Sequence, residues 1–247
     1  MSWNRPPFWK RGDVEEGSET RPLYPMMLER PELRWAFVRK IYTIVSIQLL
    51  LTIAVSSLVV FVKPISYFFV SSGVGLGLYI FLIILPFILL WPLYNYYQRH
   101  PINLLLLGLF TVSISFAVGL TCAFTSGKVI LEAAFLTAVV VVSLTLYTFW
   151  AAKKGHDFSF LGPFLFGAVI ILMLFGIIQL FFPMGKISNM IYGGLASLVF
   201  CGYIIFDTDN LIKRYGYDEY IWAAVALYLD IINLFLSLLN LFRAADN

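Results

Sequence analysis

Asp230 is the residue in this sequence whose position most strongly suggests chemistry. It interrupts the apolar segment from Ile221 to Phe242, so a helix through this segment would carry it to mid-membrane depth. An ionisable group at that depth costs about 2.5–3.5 kcal/mol to insert and therefore needs a polar partner. Further polar residues follow at helical intervals, and they are Asn233, Ser237 and Asn240. We therefore predict a helix with one polar face that is turned toward protein or water.

Two other acidic residues adjoin apolar segments. Asp207 directly follows the apolar run 187–206, and Glu132 directly precedes the run 133–152. Asp207 can approach Asp230 if its helix continues past 206 or if the last helix is tilted. Two carboxyl groups that meet in a dry site share a proton and titrate as a pair, which could serve as a pH-operated latch. The alternative is that each carboxylate only caps or hydrogen-bonds a neighbouring helix, or, for Glu132, reaches water.

The sequence lacks the motifs of common membrane enzymes. His100 and His156 are its only histidines, and neither HExxH nor GxSxG occurs, so we expect no catalytic residue, no metal site and no bound cofactor. The segment that begins at Asp207 resembles the start of a calcium-binding loop. An EF-hand loop needs glycine at its sixth position and glutamate at its twelfth, whereas these positions hold Ile212 and Asp218. An EF-hand is therefore excluded.

The overall composition indicates the surroundings in which these residues act. The chain has 247 residues, of which 60% are hydrophobic and 13% are charged, and its mean hydropathy is +0.86. A soluble domain is about half apolar and about a quarter charged. The composition excludes a disordered chain, a nucleic-acid-binding domain and a disulfide scaffold, because each needs more charge, polarity or cysteine. We expect an integral membrane protein that contacts lipid and no nucleic acid.

Seven segments are long enough to cross a membrane. Six of them contain no Asp, Glu, Lys or Arg and reach the length of about 20 residues that spans a hydrocarbon core. They are 41–62, 64–98, 100–127, 133–152, 158–185 and 187–206. The seventh surrounds Asp230, whose charge leaves a re-entrant hairpin open as an alternative, although the polar face favours a full span. The Ser- and Gly-rich residues after Pro64 predict a loop before a second span at about 75–96. The predicted fold is an all-α, polytopic bundle of seven transmembrane helices.

The distribution of charge predicts three regions and an orientation. Residues 1–36 form a polar, disordered tail, residues 37–242 form the seven-span membrane domain, and residues 243–247 form a short C-terminal tail. The basic residues are divided unequally between the two sides of the predicted spans, and the poorer side has only Lys63, Lys128, Lys186 and Arg243. Because cytosolic loops are enriched in Lys and Arg, we expect the N-terminus in the cytosol.

Several short stretches carry a resemblance to a known family. The last two spans contain Phe206-Asp207-Thr208, Asp218-Glu219-Tyr220 and Leu227-Tyr228-Leu229-Asp230-Ile231-Ile232-Asn233-Leu234-Phe235. Earlier segments contain Arg39-Lys40-Ile41-Tyr42, His100-Pro101-Ile102-Asn103 and Leu131-Glu132-Ala133. Together these stretches resemble the Lifeguard, or transmembrane Bax inhibitor motif, family, and the residues from Arg21 to Trp35 are similar to plant members.

The resemblance implies both a location and a function. Members of this family are cytoprotective proteins of the endoplasmic reticulum, the Golgi and related membranes, and several are linked to calcium leak. The resemblance also implies that the last helix is central and that a pH-sensitive aspartate pair closes the cytosolic side. By motif this pair is Asp207 and Asp230, and the arginine that contacts it corresponds most nearly to Arg99.

Two functions follow from the resemblance as expectations. The first is a pH-sensitive calcium leak channel of endomembranes that suppresses cell death and regulates stress, with calcium as the permeant ion. The alternative is a membrane protein that conducts no ion and suppresses programmed cell death by binding membrane-protein partners. A membrane enzyme is a distant third, because the sequence offers no nucleophile with a base and no metal cluster.

Overall fold

The computed structural model of the protein describes residues 22–25, 27–182 and 185–246. This part of the chain forms eight α-helices: α1 (Pro31–Phe61), α2 (Lys63–Ser71), α3 (Gly73–Tyr96), α4 (Ile102–Ala123), α5 (Gly127–Lys153), α6 (Leu161–Phe181), α7 (Lys186–Lys213) and α8 (Tyr220–Asp246). Seven of them, all except α2, have the length and hydropathy to cross a membrane. The predicted all-α fold with seven spans is therefore confirmed, and lipid surrounds the bundle.

Helix α8 lies at the centre of the bundle, as predicted. It packs against α1, α4, α5 and α7, and 67% of its membrane-spanning window is buried, compared with 11% for α3 and 6% for α6. Tyr228, Leu234 and Leu239 are among its fully buried side chains. Because α8 is one continuous helix through Asp230, the segment is a span and not a re-entrant hairpin.

The first helix begins earlier than the predicted membrane domain. Helix α1 starts at Pro31, inside the segment expected to be a tail, because proline suits the first turn of a helix, where its missing N–H leaves no bond unmade. Leu23 is buried ahead of the helix and packs against Phe37. Residues 1–21 lie outside the described residues, so for them the disordered tail stays a prediction.

The predicted loop after Pro64 is wrong for most of its length. Residues 63–71 form the short helix α2, in whose first turn Pro64 is accommodated. The chain then turns at Ser72, which has an extended backbone and a side-chain oxygen that accepts a hydrogen bond of 2.9 Å from the amide of Gly75. This N-cap starts α3, which contains Pro86 and Pro92 and ends at Tyr96, as the sequence predicts.

Helices α7 and α8 form the most extensive helix pair, and one glycine allows their backbones to meet. A Cβ atom at Gly193 would lie 2.9 Å from the backbone nitrogen of Leu241 and 2.9 Å from the carbonyl oxygen of Ser237. A Cβ atom at the neighbouring Gly194 would meet nothing within 4 Å. Only a residue without a side chain permits this close approach at position 193.

Three loops and the N-terminal segment share one end of the bundle. The α7–α8 loop (214–219) contacts the α3–α4 loop through Asp218 and Gln98, and the α5–α6 loop through Arg214 and Asp157. It also contacts Glu29, in the segment before α1. We call this end the strap end, and residues 22–25 and 27–30 the strap.

Candidate functional site

Asp207 and Asp230 meet at the interface of α7 and α8. Their side chains hydrogen-bond each other, which requires that one carboxyl group carries a proton. The contact forms because α7 continues past 206 to Lys213, which is one of the two conditions that the sequence left open. Asp230 lies ten residues into α8. This distance corresponds to about 15 Å along the helix from its first residue.

The remaining partners of the two aspartates are polar and uncharged. Asp207 is half-buried and also hydrogen-bonds Asn210. Asp230 is 6% exposed, and its Oδ2 atom has no hydrogen-bond partner among the described residues. Two tyrosines, Tyr203 and Tyr215, lie close enough to interact electrostatically with both carboxyl groups. Burial, reinforced by these nearby carboxylates, raises the pKa of Tyr215, which stands in the α7–α8 loop.

No arginine or lysine forms an ion pair with Asp207 or Asp230 in the part of the chain that the structure describes. Arg99, which the resemblance placed beside the pair, lies in the α3–α4 loop. Its guanidinium group is 5.4 Å from the ring centre of Tyr96. The structure therefore does not bring Arg99 to the aspartates, and the pair is joined by its own hydrogen bond.

The other predicted polar residues are distributed along the bundle. Asn233 donates a hydrogen bond of 2.8 Å to the carbonyl of Leu229, and Ser237 donates one of 2.7 Å to the carbonyl of Asn233, so both bond within α8. Asn240 is half-buried farther along the same helix. Glu132 is far from the pair, near the other end of the bundle, where its 48%-exposed side chain lies 3.8 Å from the ammonium group of Lys128.

A second buried carboxylate, Asp209, was not selected by the sequence analysis. It is fully buried and lies 2.5 Å from the ammonium group of Lys213 and 3.9 Å from the guanidinium group of Arg214. It also accepts a hydrogen bond of 3.3 Å from the amide of Phe158, while Arg214 pairs with Asp157 at 2.6 Å. This network fastens the α5–α6 loop to the end of α7. In the sequence, the spacing of four residues between Asp209 and Lys213 was the signal from which this ion pair on one helix face could have been predicted.

A network of hydroxyl and amide groups joins α1 and α4 to α8. Gln48 donates a hydrogen bond of 2.9 Å to Thr111, and Thr52 shares bonds of 2.8 Å with Tyr228 and 3.1 Å with Ser115. All five side chains are buried. Hydrogen bonds between membrane helices hold them together, since lipid offers these groups no partner. In the sequence, a glutamine in the middle of the first apolar span was the signal that could have predicted a hydrogen-bonded contact between helices.

Metal-ligating residues do not cluster in the described ranges. No group of three or more His, Cys, Asp and Glu residues lies close enough there to hold a metal ion. The aspartate pair offers two carboxyl groups, whereas a calcium site usually has six to eight oxygen ligands.

Comparison with known proteins gives consistent matches over almost the whole chain. The model of a family described as "Inhibitor of apoptosis-promoting Bax1" matches residues 34–247. The chain is 69% identical to "Protein LIFEGUARD 4" of Arabidopsis thaliana over 99% of both chains. It is 37% identical to "Protein lifeguard 4" of Mus musculus and 36% identical to the "Golgi anti-apoptotic protein" of vaccinia virus, with 87% of each chain covered in both cases.

Proposed function

The chain belongs to the Bax inhibitor, or Lifeguard, family of multi-pass membrane proteins, and we propose that it suppresses cell death as a pH-sensitive calcium leak pathway of an endomembrane. The descriptions of the matching family and of the viral Golgi protein support the part on cell death and endomembranes. One observation carries the part on ions: Asp207 of α7 and Asp230 of the central helix α8 meet inside the bundle, between two helices that are long enough to span a membrane.

The hydrogen bond between the two aspartates explains how such a pathway would close. When the pair holds one proton, a carboxyl group donates to a carboxylate, and this charge-assisted bond joins α7 to α8. A second proton removes the charge, and a neutral hydrogen bond is about half as strong. Flux is therefore expected to rise as the pH falls. Beyond the pair, Asn233, Ser237 and Asn240 continue the polar face of α8, and their oxygen atoms suit calcium.

Calcium flux into dye-loaded vesicles tests the latch. Asp207→Asn and Asp230→Asn keep the size of each side chain but remove the shared proton, so each is expected to change the basal leak and to flatten its response to pH. Glu132→Gln is the matched control, because it makes the same chemical change at an exposed site near the other end of the bundle. If both aspartate variants behave like the wild-type protein, the latch is wrong.

The orientation of the bundle is part of the proposal. The strap end carries most of the basic residues of the described chain, which are Arg30, Arg34, Arg39, Lys40, Arg99, Lys153, Lys154, Lys213 and Arg214. This excess supports a cytosolic strap end, since Lys and Arg favour cytosolic loops. A fluorescent protein fused ahead of residue 1 should be degraded by protease added to permeabilised cells, whereas protection of the fusion would reverse the orientation.

A protein that conducts no ion and protects by binding membrane partners is the second candidate. The matching family is described by its action on apoptosis and not by ion transport, which favours this candidate. The largely unburied surfaces of α3 and α6 offer it contact area. The two candidates differ for Asp230→Asn: the leak pathway loses regulated flux and protection together, whereas the binding protein keeps its protection. Flux and cell survival should be measured on the same variant after its insertion is verified.

A further inference from the structure

The strap folds back over the end of the bundle instead of extending away from it. Leu23 is 5% exposed and belongs to a cluster of buried side chains from four helices. Members of that cluster are Phe37, Val38, Ile41, Ala152, Leu211, Ile212, Ala223 and Ala224. Pro25 lies against the α5–α6 loop, where a Cβ atom at Gly155 would be 3.4 Å from its ring. The strap therefore packs against α1, α5, α7 and α8 at once.

Arg34 connects the strap to the α7–α8 loop. Its side chain is only 5% exposed and forms two hydrogen bonds with the carboxylate of Glu29. It also donates a hydrogen bond of 2.7 Å to the carbonyl of Tyr215. The guanidinium group lies 5.5 Å from the ring centre of Phe37 and 5.0 Å from that of Tyr217, whose hydroxyl group donates to Glu29. A planar, five-donor side chain is suited to such simultaneous contacts, and lysine is not.

The residue that Arg34 holds is also close to the aspartate pair. Tyr215 gives its carbonyl oxygen to Arg34, and its side chain interacts electrostatically with Asp207 and Asp230. The loop that contains Tyr215 is the covalent connection between the two helices that carry the aspartates. A displacement of this loop must therefore move the end of α7 against the start of α8.

We propose that the strap clamps the α7–α8 loop and that Arg34 is the positioning residue that keeps Asp207 and Asp230 in contact. Arg34 acts through Tyr215 and touches neither carboxyl group. Its role differs from the direct contact that the family resemblance suggested for Arg99, because Arg34 acts from the first helix and through the loop. The effect on ion flux rests on the proposed function, whereas the effect on the loop does not.

The loop has other attachments, so loss of Arg34 should loosen it without unfolding the bundle. Gln98 donates a hydrogen bond of 2.8 Å to Asp218, and Asn103 donates one of 2.7 Å to the hydroxyl group of Tyr220. These bonds hold the α8 side of the loop. The clamp by Arg34 acts on its other side, at Tyr215 and Tyr217.

Hydrogen–deuterium exchange of the purified full chain in lipid nanodiscs measures the clamp directly. Arg34→Gln is expected to speed amide exchange in residues 214–219 on the order of tenfold, which corresponds to about 1.4 kcal/mol. The amides of Gly216 and Glu219 report it, because they hydrogen-bond the Glu219 carboxylate at 2.7 Å and the Gly216 carbonyl at 3.0 Å. Arg34→Lys should behave like Arg34→Gln, since it keeps the charge but loses the planar fork.

Arg99→Gln is the matched control, because it removes an arginine from the same end of the bundle. It should leave exchange in 214–219 unchanged. The double variant Glu29→Gln with Arg34→Gln should exchange no faster than Arg34→Gln alone, since the two side chains act as one unit. If Arg34→Gln does not fold, Tyr217→Phe removes a single bond of the same cluster, and it should still speed exchange in the loop.

The outcomes separate the clamp from the proposed function. The clamp is overturned if the folded Arg34 variants exchange in the loop at the wild-type rate. If the Arg34 variants do not fold, the same result for Tyr217→Phe overturns it. Faster loop exchange in Arg99→Gln alone would also overturn it. Faster loop exchange together with faster calcium leak in Arg34→Gln supports both ideas. Faster loop exchange in a protein that shows no calcium flux at any pH supports the clamp and contradicts the leak pathway.

Discussion

Replacing Gly193 by alanine should weaken the bundle by forcing α7 and α8 apart. The new Cβ atom would start 2.9 Å from two backbone atoms of α8, whereas ordinary contact begins at 3.4 Å. The distance from the new Cβ atom to each of these two atoms must therefore grow from 2.9 Å to at least 3.4 Å. The two helices then separate by about 0.5 Å at this point. Neither contact atom can rotate away, because both belong to the backbone of Ser237 and Leu241.

The size of this effect can be estimated from packing energies. Overpacking of a well-fitted interior costs about 1–3 kcal/mol. A gap of about 0.5 Å also removes a quarter or more of the dispersion energy of the atom pairs that it separates. Since α7 and α8 form the most extensive pair in the bundle, we expect Gly193→Ala to lose about 2 kcal/mol, in the middle of that range.

Gly194→Ala provides the matched control, because it adds the same methyl group to the next residue, where space is open. Unfolding of both variants by increasing amounts of sodium dodecyl sulfate in mixed micelles can be followed by tryptophan fluorescence, since Trp222 lies in α8 and contacts Tyr94. Gly194→Ala should unfold at or above the wild-type midpoint, and Gly193→Ala clearly below it. Equal midpoints for the two variants would refute the close approach of α7 and α8.

Two further predictions concern polar contacts away from the aspartate pair. The backbone amide of Ser159 and the side chain of Arg214 lower the pKa of Asp157 from 3.8 to about 2, so its contribution to stability is present above about pH 4 and is lost toward pH 2. Because the side chain is 54% exposed, Asp157→Asn should lower the free energy of unfolding by less than about 1 kcal/mol near pH 7 and should leave it unchanged near pH 2. An equal loss at both pH values would contradict this. Tyr228→Phe removes the hydrogen bond to Thr52 and should lower the free energy of unfolding by about 0.6–1.5 kcal/mol. A double-mutant cycle with Thr52→Val should give a coupling energy of similar size, and zero coupling would contradict the bond.

The number of spans could be predicted from the residues alone, whereas the meeting of the aspartates was implied only by the family resemblance. The length of an apolar run is a property of composition alone. The charge-free run ends at 206, yet α7 continues to Lys213. The helix can continue because Asp209 forms an ion pair with Lys213 one turn later, which allows its carboxylate to be buried in the bundle. The position of Asp207 beside Asp230 depends on this extension of α7. A prediction that ends each span at the first charged residue assigns the same residues to a loop.

The clamp residue was missed for a different physical reason. Arg34 is 181 positions away in sequence from Tyr215, its partner across the bundle, and nothing local marks an arginine that will be buried. The polar composition of residues 1–36 indicated a tail, since charge predicts exposure on average. The strap docks through Leu23, with Tyr24 and Met27 packed against the same cluster, and the average composition of a polar segment does not register so few apolar residues. Arg99, by contrast, matched a family position and yet points to a tyrosine.

The central position of α8 has a consequence for how the protein is made. Translation delivers α1, α4, α5 and α7 to the membrane before the helix around which they pack. Until α8 arrives, the hydroxyl group of Thr52 lacks its partner on Tyr228. The aspartate of α8 can then enter among helices that are already in the membrane instead of entering lipid. A ribosome that stalls before Tyr220 therefore leaves an assembly without its central helix.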